Sequence, residues 1–144
     1  MSRRVVITGM GWVTPLGHEV APVWSRLLAG ENAIGPVTRF DASTFATNFA
    51  AEVKNFDLAK HLDPAHHNLS AHQHAGTSTG FALAAAAQAW KQAGFYAKAP
   101  ANPRRVGLYL GCGEGTLDFH NFAAANIASW KPEARDIDAK AWAE

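Results

Sequence analysis

The chain has 144 residues, 48% of them hydrophobic and 17% charged, which is the profile of an ordinary globular domain rather than a disordered or fibrous one. Thirteen basic and twelve acidic residues leave a net charge of +1 with no basic stripe, which argues against nucleic acid as a partner. One cysteine excludes an intrachain disulfide, and no apolar run approaches the ~18 residues of a membrane helix, so a cytoplasmic protein without a membrane partner is expected.

Val5, Val6 and Ile7 form a β-branched run suited to a buried parallel strand. Gly9 and Gly11 follow as a glycine turn, and Pro15-Leu16-Gly17 is a second turn signal. Val20, Val23, Trp24, Leu27 and Leu28 recur at helical spacing, and Gly30 sits where a helix C-terminal glycine belongs. Residues 31–60 carry turn residues among Phe40, Phe45, Phe49 and Phe56, which predicts a long loop with short extended pieces. The spacing predicts a small-residue helix over 77–93, buried nearly all round and closed by Gly94.

Val106–Leu110 is expected as a second strand, with Gly111, Gly113 and Gly115 punctuating the next turn. Thr116 is a candidate cap, with Asp118 near the positive end of a helix carrying Phe119, Phe122, Ala123, Ile127 and Trp130; Lys131-Pro132 ends it. A short polar helix is expected through Trp142. The order strand, helix, long loop, helix, strand, helix indicates an α/β fold. Two parallel strands alone make a poor sheet, so these helices imply more sheet than the chain supplies.

The glycine turns are weak signals for nucleotide binding, and a nucleotide-binding α/β protein is a third reading. Gly9-Met10-Gly11 lacks the third glycine of the dinucleotide fingerprint, Gly111–Gly115 misses its spacing, and neither contains a phosphate-loop Lys-Ser/Thr. Tight packing of strand against helix accounts for them. His61, His66, His67, His72 and His74 crowd into fourteen residues, but no helical ligand spacing with a carboxylate is evident. They read as surface histidines on an irregular segment, with no metal.

Several stretches, in order, resemble the elongating β-ketoacyl-acyl-carrier-protein synthases of the thiolase superfamily. They are Arg4–Gly11, Val13–Gly17, Trp24 with Leu27–Gly30, Ile34-Gly35-Pro36 with Arg39-Phe40-Asp41, Ala93-Gly94, Arg105-Val106-Gly107 and Gly111–Gly115. The resemblance covers about residues 3–118 and is that of the N-terminal third. It implies that residues 1–144 are the N-terminal portion of a condensing-enzyme domain, part of a layered αβαβα fold incomplete in this chain. It further implies decarboxylative Claisen condensation of acyl and malonyl thioesters on acyl carrier protein, in fatty-acid or polyketide synthesis, without a cofactor. A homodimer or pseudo-symmetric heterodimer is implied as well.

By the same resemblance the condensing cysteine and its two histidines fall beyond the matched region. Residues 119–144 contain no cysteine, so no catalytic residue is expected in the chain, and the chain alone is expected to be inactive. A non-catalytic partner subunit resembling a chain-length factor is the alternative. Cys112 lies in a glycine turn one strand early and reads as a small structural hydrophobe. Glu114 stands where the family tends to have an apolar residue by the acyl-pocket floor. Buried there, its carboxylate would need a partner, which suggests a shallow or reshaped pocket; alternatively it turns aside to cap an amide or meet an arginine. His74-Ala75-Gly76-Thr77-Ser78 also departs from the family pattern of a basic residue, Met, Asp, Arg and Phe.

Overall fold

Val20, Val23, Trp24, Leu27 and Leu28 form the first helix, α1 (Val20–Leu28), as their spacing predicts. In the computed structural model, which describes residues 4–72, 75–111, 113 and 119–143, only Val23 of this face is buried. Gly30, at φ 75°, donates its amide to Leu27 O at 3.0 Å, and Glu31 donates to Arg26 O at 3.0 Å. This double closure satisfies the last carbonyls of the helix.

The loop after α1 contains a short antiparallel hairpin, β1 (Ile34–Pro36) and β2 (Phe49–Ala51), with Gly35 opposite Ala50. The Thr38 hydroxyl donates to Glu52 Oε2 at 2.6 Å just beyond the strands. Phe40 and Phe45 meet edge to face at 5.5 Å, and Phe56 meets Phe81 at 4.8 Å.

Helix α2 (Thr77–Gln92) contains the alanine run. Its buried residues Gly80, Ala84 and Ala87 follow the i, i+4, i+7 stripe, so one face is inside rather than the whole circumference. Gly94 closes it at φ 77° by the same pattern as Gly30: its amide reaches Lys91 O, the Phe95 amide reaches Trp90 O, and the Trp90 and Phe95 rings touch at 4.7 Å.

Helix α3 (Phe119–Ser129) leads into a second hairpin, β3 (Trp130–Lys131) with β4 (Asp136–Ile137), and into α4 (Ala139–Ala143). The helix ends at Ser129, ahead of Lys131-Pro132, because Trp130 and Lys131 enter the hairpin. Asp138 caps α4 by accepting from Lys140 N at 3.0 Å and pairs with Lys131 Nζ at 2.7 Å. Phe122, Ile127 and Trp130 are exposed. The chain divides into two compact units, Met1–Ala75 with Thr79–Leu108, and Gly76–Ser78 with Tyr109–Glu144.

Neither expected parallel strand forms. Val5–Ile7 and Val106–Leu110 belong to no ladder, and the sheets among the described residues are the two hairpins. A strand exists only when a neighbour takes its amides and carbonyls, and these two segments do not pair with each other. Thr116, Asp118, Cys112, Glu114, Gln73 and His74 lie outside the described residues.

Candidate functional site

Residues 9–18 are laid along α2, and two sequence features put them there. A methyl group at Gly9 would overlap the Ala89 carbonyl, and one at Gly11 would overlap the Ala85 carbonyl. Ala85 and Ala89 lie one turn apart on α2, so the two glycines let the segment run against the helix backbone itself. Close approach of the chain to the helix backbone is therefore a sufficient reason for the first glycine turn.

Gln88 and Gln92 hold the segment. Gln88 Oε1 accepts from Trp12 N at 3.3 Å, while its Nε2 donates to Trp12 O at 3.2 Å and to His18 O at 2.6 Å. The side-chain amide thus meets both polar groups of Trp12 as a neighbouring strand would. Gln92 Oε1 accepts from Met10 N at 2.6 Å. The sequence reading missed this pair. The available signal was two amides at i, i+4 on an alanine-rich helix.

Val5, Ile7, Leu108 and Tyr109 are 96%, 81%, 84% and 97% exposed. Their neighbours Val6 and Leu110 are exposed too, so both segments present apolar side chains and lie outside the sheets formed among the described residues. That is the chemistry of sheet strands without their neighbours.

The histidine-rich segment is less superficial than its composition suggests. His61 is half-buried, stacked on Phe56 at 5.4 Å and edge-on to His18 at 5.5 Å. Burial holds its pKa below the ordinary value, and the nearby His18 adds to that effect. His67 Nε2 is 2.6 Å from Tyr96 Oη, and the exposed His66 stacks on the Tyr96 ring at 4.5 Å. Burial raises the Tyr96 pKa, with Asp63 adding to it. The His67–Tyr96 pair borders a cavity of about 560 Å³ walled by Leu83, Trp90 and Phe95. Among the described residues no three His, Cys, Asp or Glu side chains converge as a metal site, and no helix is long and apolar enough to cross a membrane.

Comparison with known proteins places these features in a family context. The family described as "Beta-ketoacyl synthase, N-terminal domain" matches residues 2–141. The 3-oxoacyl-[acyl-carrier-protein] synthase 2 of Coxiella burnetii is 45% identical over 115 residues, covering 80% of this chain and 26% of that protein. The enzyme of the same name from Staphylococcus aureus is 32% identical over 131 residues, covering 91% of this chain and 30% of that one. A solved structure described as "The ishigamide ketosynthase/chain length factor" superposes with a TM-score of 0.63 at 29% identity, over 97% of this chain and 35% of that chain. The chain therefore spans about a quarter to a third of the length of the relatives it matches.

Proposed function

The chain belongs to the β-ketoacyl synthase family, matching its N-terminal domain, and from that premise we propose that it serves a 3-oxoacyl-acyl-carrier-protein synthase. In that reaction an acyl group passes to an enzyme thiol. Malonyl-acyl-carrier-protein then loses carbon dioxide, and the resulting carbanion attacks the acyl thioester to give 3-oxoacyl-acyl-carrier-protein and the free thiol. The observation that carries this reading is the 45% identity over 115 residues to a synthase of that name.

Within such an enzyme the 144 residues act as scaffold. The clamp of residues 9–18 onto α2 anchors the chain just after the exposed apolar run Val5–Ile7. By the family resemblance the nucleophile and its two histidines fall outside these 144 residues. The test is formation of 3-oxoacyl product from labelled malonyl- and acyl-acyl-carrier-protein. A protein containing this region together with the remainder of a synthase is expected to form it, and the 144 residues alone are expected to form none. Product from the 144 residues alone would overturn the scaffold assignment.

The relative whose description joins a ketosynthase to a chain-length factor supports a second reading, a non-catalytic partner subunit. That subunit takes up no labelled acyl group but changes the chain length made by an active partner. Glu114, proposed at the acyl-pocket floor, gives a finer prediction under the first reading. Glu114→Leu is expected to extend the accepted acyl chain by several carbons, and efficient use of long saturated chains by the native enzyme would contradict that placement.

A further inference from the structure

His61, which the sequence assigned to the surface, forms part of an aromatic junction with His18, Phe56 and Phe81. His18 ends the turn that precedes α1, Phe56 and His61 flank the helical turn at Leu58–Lys60, and Phe81 comes from α2. The Phe56 ring meets Phe81 at 4.8 Å, His18 at 5.5 Å and His61 at 5.4 Å, the last nearly parallel at 10°. Gly80 of α2 leaves room for the ring, since a methyl group there would stand 3.3 Å from Phe56. Three separate segments are therefore joined at one phenylalanine by two imidazoles 5.5 Å apart.

We propose that His18 and His61 make this junction an acid-sensitive latch, closed when both rings are neutral and released when both carry charge. Neutral imidazoles stack on and against Phe56 as aromatic rings, whereas two imidazolium ions at this spacing repel and must be partly desolvated. The surrounding charges do not cancel that effect. Glu19 beside His18 and Asp57 on the same turn favour protonation of His61, while Lys60 opposes it. Asp63 and, from α2, Lys91 line the same cavity as His61 with one charge of each sign. The Phe56 face can offset part of the cost of a cation, but only for one of the two rings at a time.

The sign follows from where His61 binds its proton. Its folded pKa lies below the ordinary value of 6.5, so the unfolded chain takes the proton first. The latch contributes its full stability above that value and loses it as the pH falls from there through the lower folded value. The His67–Tyr96 bond behaves differently, because an imidazolium still donates to the phenol oxygen. It is the internal control.

Thermal unfolding of the chain at about pH 7.5 and about pH 5.5 tests the latch. The native protein is expected to lose several degrees of Tm between the two. His61→Phe, which keeps the stack on Phe56, should lose clearly less, and Tyr96→Phe should be lower at both pH values with the native drop retained. Equal drops in the native protein and His61→Phe would overturn the proposal. Should His61→Phe fail to fold, NMR titration of the His61 ring decides. Its midpoint is expected below that of an ordinary histidine and should rise in His18→Gln. A midpoint unmoved by His18→Gln contradicts the latch.

Discussion

Gly9, Gly11 and Gly30 are the same residue type under different physical demands, and substitution separates them. At Gly9 or Gly11 a methyl group meets α2 backbone that cannot rotate away. Gly9→Ala or Gly11→Ala is therefore expected to destabilise by about 3 kcal/mol in urea unfolding, at the upper end of overpacking costs. Gly30 has no atom within 4 Å of that position and demands only its positive φ, so Gly30→Ala should lose about 1 kcal/mol. Equal losses at Gly9 and Gly30 would contradict the close approach to α2. Gln88→Leu removes three half-buried hydrogen bonds while keeping bulk, and should lose about 2 kcal/mol. The glycines were legible as packing points, because the missing side chain is itself the signal. The glutamines were not, because an amide on a helix normally faces water and only the position of residues 12 and 18 gives it partners.

At the scale of the element, the two glycine-closed helices, α1 and α2, were legible together with their ends. The closures at Gly30 and Gly94 are local, each needing only a glycine and the preceding turn. The short helix α4 depends on a local device as well. Hydrogen bonding to Lys131 and to the Ala141 and Lys140 amides lowers the pKa of Asp138 below its ordinary 3.8. The capping contribution is therefore complete above that value and is lost as the pH falls through the lower folded value. Asp138→Ala should speed amide exchange at Lys140 and Ala141, while Asp138→Asn, which keeps the acceptor but loses the ion pair, should protect them. Unchanged exchange in Asp138→Ala would rule out the cap. Val5–Ile7 and Val106–Leu110 form no ladder because an apolar run describes only half of a strand. The other half is a neighbour, and none of the described residues supplies one.

For the whole molecule, those same two segments set the behaviour of the chain in solution. Exposed apolar residues beside unpaired backbone template association with other strands. The 144 residues alone are expected to self-associate at micromolar concentration, and Val6→Lys combined with Leu108→Lys should reduce it. Light scattering that shows a monomer throughout would contradict this. A sheet larger than the chain was already implied by the sequence, since its helices carry more apolar surface than two strands can cover. In the structure that excess stands exposed at Trp24, Leu28 and Ile127. By itself, then, the sequence determined the helices, their glycine ends and the family, because periodicity, positive φ and motif order all reside in neighbouring residues. Only the tertiary structure decided what the first glycine turn packs against, which glutamines hold it, and that His61 sits against Phe56 and His18 rather than in open solvent. Each of these depends on residues far apart in the chain meeting at one place, and neither spacing nor composition encodes that meeting.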